Sequence, residues 1–181
     1  MYKIATMVCV TGAFIVFVWL QDLSYASIEF ETYTNADYNF SIDYPSDWIA
    51  NEVNLQPKQI VIFHPDPDEY EAIPSPAVVS VWNLLLTDKT LNVTEVDLQY
   101  GTKDTADTRI VDKNLTTLSG FPAIENTYYD YGNNQNLKAK EIFALVDNEI
   151  FFVFYNTHPG YFDEYLPIVN QMIRSFKIGP S

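Results

Sequence analysis

The chain alternates from residue 38 onward. "YNFSIDYP" sets Tyr38, Phe40, Ile42 and Tyr44 on one side and Asn39, Ser41 and Asp43 on the other, the period of a half-buried strand that Pro45 closes. Trp48 follows a turn, where its bulk can cover one end of a core. "QIVIF" reads as a buried strand, and "AVVSVWNLLL" is apolar on both sides, as a strand inside a covered sheet must be. The period then changes. Asn92 with Glu95 three residues later has the form of a capping box, and Val93, Val96 and Tyr100 recur at helical spacing, which predicts a helix over 93–105.

Four more strands follow in "TRIVDKNLTTL", "AIENTYYDY", "KAKEIFALV" and "EIFFVFYNT". Gly120 and Pro122 punctuate the first pair, "GNNQN" is a flexible connection, and Asp147-Asn148 makes a tight turn. At the end, Phe162, Tyr165, Val169, Met172 and Ile173 form a helical stripe. Pro167 inside it predicts either a kink or the first turn of a shorter helix. Strands first, one helix in the middle, consecutive strands and a closing helix give an α+β class: an antiparallel β-sheet covered by helices in a single domain.

The first residues differ in kind. Lys3 precedes an uncharged apolar run from Ile4 to Leu20, and Ser24-Tyr25-Ala26 offers small residues at a cleavage site. This is the form of a signal peptide ending at Ala26. An N-terminal anchor is the alternative, because the run is only slightly shorter than the ~20 residues of a spanning helix. Residues 27–36 are expected to be a short tether and 37–181 the domain. Either reading places the domain outside the cytoplasm, secreted or at the cell surface, with membrane contact only through the first segment if it is retained.

The single cysteine, Cys9, lies inside the apolar run, so the domain has no thiol chemistry and no disulfide. Lys3 and Asp22 cancel, leaving the domain the whole net charge of −14. That excludes nucleic acid as a natural partner, since affinity for phosphate backbones rests on Lys and Arg. It suits solubility, cations or a basic protein partner.

Three segments, "YNFSIDYPSDW", "LSGFPAIENTYYDY" and "GYFDEYLPIVNQMIRSFKI", resemble the PsbP-like family, that of the extrinsic photosystem II subunit PsbP. The resemblance covers most of residues 36–178. It implies a compact α/β/α sandwich around an antiparallel sheet. Plant members are similar to assembly and stabilising factors of the oxygen-evolving machinery and carry a basic N-terminal extension. This chain has an acidic stub there, and so is similar to a secreted microbial member instead.

Candidate chemistry is sparse. There is no Gly-x-Ser-x-Gly elbow, phosphate loop or His-Glu-x-x-His. The expectation is a non-enzymatic domain that binds a protein partner, needs no cofactor and has no catalytic residues. The alternatives are a weak divalent-cation (Ca²⁺ or Mn²⁺) binder and a hydrolase with convergent carboxylates. The densest cluster of ligand-type residues is "HPDPDEYEAIPSP", with His64, Asp66, Asp68 and Glu71 as candidate metal ligands. It fails the EF-hand spacing and has one His where zinc wants more, so an acidic connecting loop is the simpler reading. His158 reads as a turn residue. Tyr128, Tyr129, Tyr131, Phe151, Phe152, Phe154 and Tyr155 read chiefly as core, with Tyr129 and Tyr131 as a candidate stacking patch. Asn39, Asn92 and Asn114 begin glycosylation sequons.

Overall fold

The computed structural model describes residues 28–55, 58–66, 76–87, 90–132 and 136–179. The segment read as a signal or anchor, 1–26, lies outside them. Ten strands and two helices are described: β1 (Phe30–Asn35), β2 (Phe40–Pro45), β3 (Trp48–Leu55), β4 (Lys58–Pro65), β5 (Val78–Leu85), α1 (Val93–Tyr100), β6 (Thr108–Leu118), β7 (Phe121–Asp130), β8 (Leu137–Val146), β9 (Glu149–Thr157), α2 (Phe162–Ser175) and β10 (Lys177–Ile178). Seven strands form one sheet in the order β3-β4-β5-β9-β8-β7-β6, and β1-β2-β10 form a second. All pairings are antiparallel.

The large sheet is two meanders, β3–β5 and β6–β9, joined where β5 pairs with β9. The segment carrying α1 crosses from the middle of the sheet to its β6 edge. β9 shows why the sheet needs two coats. Phe151, Val153 and Tyr155 point to a core with Phe63, Val79, Val81 and the buried side of α2, while Ile150 and Phe152 point to a second core with Phe143, Ile124 and Val96 of α1. A run apolar at every position is what a strand covered on both faces requires. The small sheet joins α2 on the first face, where Phe40 packs on Phe176 and Tyr33 and Tyr44 pack on Phe63. Each large apolar side chain enclosed this way contributes about 1.5–3 kcal/mol.

Two turns have local causes. Ser119 (φ 53°) and Gly120 (φ 84°) join β6 to β7, and Asp147 (φ 48°) and Asn148 (φ 73°) join β8 to β9. Positive φ at both central residues is the pattern of a two-residue I′ hairpin, whose twist matches its strands.

Three expectations change. The stretch read as a tether contains β1, where Tyr33 shares its side of the strand with an exposed Glu31 and a buried Asn35, so no apolar period shows. Residues 48–55, read only as a turn followed by Trp48, form edge strand β3. The first helix ends at Tyr100 rather than 105. A Cβ on Gly101 would lie 2.1 Å from Asp97 Oδ1 and 2.6 Å from its carbonyl, so the helix stops on a residue without a side chain. Pro167 lies in the second turn of α2 on its exposed side, and the helix continues through it.

Candidate functional site

An open cleft of about 470 Å³ lies between the two sheets at the end where their turns gather. The β1–β2 turn forms one wall. Asn35, buried at the end of β1, holds it: its Oδ1 accepts the Tyr38 N–H at 3.0 Å and its Nδ2 donates to Tyr33 Oη at 3.2 Å. Asn39 (φ 51°) ends the turn, and its carbonyl accepts the Gly179 N–H at 2.7 Å, which ties the end of the described chain to the same wall. The β8–β9 turn supplies the opposite wall. Tyr38, Phe121, Val146, Phe151 and Ile178 give the cleft its apolar surface, and Asp37, Asp147 and Glu149 bring three carboxylates. Among the described residues that line it there is no Lys, Arg or His. Asn83 Nδ2 donates to Glu149, yet partial burial still pushes the Glu149 carboxyl above the ordinary carboxylate range.

A second polar group runs from an exposed lysine into a buried pair. Lys113, Asn126 and Glu141 stand side by side on β6, β7 and β8, on the face that α1 covers. Asn126 is 0 % exposed and Glu141 8 %. Glu141 Oε1 accepts from Asn126 Nδ2 and from Thr102 Oγ1, each at 3.2 Å. Lys113 is held instead by Asp97 on α1 at 2.8 Å. Burial therefore pushes the Glu141 carboxyl up, with the two hydrogen bonds opposing it. Asn126 Oδ1 has no partner among the described protein atoms. Tyr128 shares this face, and burial with the nearby Glu141 charge raises its hydroxyl too.

The residues singled out from sequence are scattered. His64 is the last residue but one of β4 and has both ring nitrogens engaged: Nδ1 lies 2.8 Å from the Pro65 carbonyl, and Nε2 lies 2.8 Å from Asn51 Nδ2. An Nδ1–H donating to the carbonyl leaves Nε2 to accept the amide N–H. Asp66 follows it, while Asp68 and Glu71 lie outside the described residues. Among the described residues no three His, Cys, Asp or Glu side chains are grouped to hold a metal ion. His158 closes the turn before α2, its Nδ1 accepting the Gly160 N–H at 3.2 Å. Asn92 caps α1 in a full capping box, Asn114 lies exposed on edge strand β6, and Asn39 lies at the cleft. Tyr128, Phe151, Phe152 and Tyr155 are buried, whereas Tyr129 and Tyr131 stack at 6.0 Å with Tyr131 exposed.

The cleft escaped the sequence reading because its lining comes from 37–39, 121, 146, 147, 149, 151 and 178–179, which only the β2–β10 pairing and the shared turn end bring together. For the buried pair a signal was present. Glu141 has the parity of Phe143 and Leu145, and Asn126 that of Ile124 and Tyr128.

This topology, with its two helices on opposite faces, is shared with known proteins. The PsbP-like protein family matches residues 21–178. The chain belongs to the PsbP-like family. As a PsbP-like domain it is similar in structure to the cyanobacterial PsbP (CyanoP) of Synechocystis sp. PCC 6803, with TM-score 0.58, 14% identity, and coverage of 86% of this chain and 95% of that one. LpqN of Mycobacterium tuberculosis, described as involved in cell envelope biogenesis, aligns with TM-score 0.60 and 13% identity over 84% of this chain and 91% of its own. PA94 of Pseudomonas aeruginosa, described as a protein of unknown function and putative regulator, aligns with TM-score 0.57 and 14% identity over 84% and 99%. At these identities the likeness shows the shared fold. No curated protein matches the chain. Among the described residues no helix is long and apolar enough to cross a membrane.

Proposed function

We propose that this PsbP-like domain is a non-enzymatic binding domain that works outside the cytoplasm by holding a protein partner in the cleft between its two sheets. The cleft carries the reading. It is open to solvent, walled by aromatic and aliphatic side chains, and rimmed by groups able to orient a ligand, the composition typical of binding sites. The signal-like form of residues 1–26 supports a place outside the cytoplasm, and so does the cell-envelope role stated for LpqN. Filling the cleft is the test. Val146→Trp intrudes on its wall, whereas Leu98→Trp places the same side chain at an exposed position on α1. Capture of a discrete partner from native envelopes by the wild-type chain and by Leu98→Trp, but not by a folded Val146→Trp, is the expected result. Equal capture by all three would remove the cleft from the account.

One observation favours a second reading, a hydrolase with convergent carboxylates. Glu149, whose carboxyl is raised, shares the cleft with Asp147 and Asp37, and a carboxylic acid beside a carboxylate is the pairing that acid–base hydrolysis uses. Turnover of a panel of chromogenic glycosides and esters, lost in Glu149→Gln, would establish it. No turnover by the wild-type chain would retire it.

A further inference from the structure

We infer that the anchor the cleft receives is a lysine or arginine side chain on an extended segment of the partner. The inference rests on the cleft being the partner's site and names what enters it.

Two features of the lining lead there. The first is shape and polarity. Tyr38 and Phe121, both half-buried, line the cleft with ring surface over a floor that includes the buried Phe151, and a long basic side chain lays its aliphatic stem on such surface while its head stays polar. Ring faces also attract the head itself, by about 0.5–2 kcal/mol according to how far it is desolvated. The second is charge. Asp37, Asp147 and Glu149 line the same cleft, no described basic side chain lines it with them, and the chain as a whole carries −14. An anionic ligand would meet three carboxylates and no counter-charge, and a neutral apolar one would desolvate them without return. A cation neutralises them and is steered in by the field of the whole domain. At about 470 Å³ the cleft has room for one long side chain with some of its backbone, and not for a folded element.

Glu149 adds a pH dependence. Its carboxyl titrates late because it is partly buried, and it must be ionised to pair with a cation. Asp37, Asp147 and the hydroxyl of Tyr38 are the other titratable groups lining the cleft, and Asn83 is the polar neighbour behind Glu149. Binding therefore strengthens as pH rises above the ordinary carboxylate range and levels off once Glu149 is ionised.

The experiment uses the full chain, labelled with ¹⁵N, and two capped pentapeptides of sequence Ala-Lys-Phe-Lys-Ala and Ala-Nle-Phe-Nle-Ala, in which norleucine keeps the stem and removes the charge. The lysine peptide is expected to shift the amides of Tyr38, Phe121 and Asp147 saturably. The norleucine peptide is expected to bind at least about tenfold more weakly, a difference of about 1.4 kcal/mol. Neutralising the rim with Asp37→Asn, Asp147→Asn and Glu149→Gln should abolish the difference. Equal binding of the two peptides would overturn the basic anchor and leave protein capture standing. Absence of any cleft shift with the lysine peptide at millimolar level would overturn it too, and partner capture that still depends on Val146 would then point to a different anchor.

Discussion

Glu141→Gln separates a carboxyl that the fold tolerates from one that it uses. Glutamine keeps the volume of glutamate and an oxygen to accept from Asn126 and Thr102, and it removes the charge. In the folded chain the Glu141 carboxyl is raised, first by burial and in small part by Asp97; Asn126, Thr102 and Lys113 pull the other way without cancelling it. A raised carboxyl binds its proton more tightly folded than unfolded. Its contribution is therefore fully present below the unfolded value of about 4.3, and is lost as pH rises through the folded value. Above that value the wild type carries a buried carboxylate with two hydrogen bonds, both at 3.2 Å, the long end for such bonds. Each pH unit of delay corresponds to about 1.4 kcal/mol. A buried polar group that is incompletely paired costs about 1–3 kcal/mol, so Gln is expected to stabilise by that order at pH 8 and to be nearly neutral at pH 4. For a chain of this size that is roughly 2–4 °C in Tm per kcal/mol. Urea unfolding of both chains at half-unit steps from pH 4 to 8 gives the difference directly, and subtracting the variant removes the parallel titration of Glu149. A Gln variant less stable than wild type at pH 8, with the gap widening as pH rises, would refute the reasoning, because the carboxylate would then be a favourable charge.

Other substitutions probe other parts. Phe152→Ala removes a ring stacked 3.8 Å from Trp82 and 5.3 Å from Phe143, and should cost about 3–5 kcal/mol in urea midpoint energy, whereas Phe154→Ala on the half-covered part of the same strand should cost under half as much. Similar costs for the two would contradict the placement of the α1-side core. Asn92→Ala removes the cap that accepts from Thr94 and Glu95, and is expected to lose about 1 kcal/mol with exchange protection falling first in α1. Unchanged protection there would show that the cap contributes little. In a thermal-melt titration, Zn²⁺ must displace Asn51 to reach His64 Nε2, so it should leave the wild-type Tm unchanged. Ca²⁺ needs only oxygen ligands, and a saturable rise lost in Asp66→Ala would mark the acidic connection as a cation site.

How much of this could be read from the chain depends on how local the signal is. β2, β5 and β6 to β9 were legible because Pro45, Gly120 with Pro122, and Asp147-Asn148 punctuate runs whose side chains alternate or stay apolar. β1 and β3 were not, because one sets an exposed Glu31 and a buried Asn35 on the side of Tyr33 and the other lies on an edge where Glu52 breaks the pattern. β10 is two residues long and exists only through Ser41 and Phe40 of β2. The same difference governs the site. "HPDPDEYE" draws attention because its carboxylates are neighbours in sequence, yet each strand pairing of the sandwich brings together residues that composition treats as unrelated. Asp37 and Asp147 share a cleft across more than half the chain only because two hairpin turns end at the same level.

The most direct test of partner capture in the cleft is a photo-crosslinker. Benzoylphenylalanine replaces Tyr38 in the full chain, and Leu98 in a control, in intact cells that make the protein, with the attached peptide then sequenced by mass spectrometry. One competable adduct from position 38, joined to a peptide rich in Lys or Arg and absent from position 98, is the predicted result. A competable adduct from position 98 with none from position 38 would contradict the account and move the partner to the α1 face.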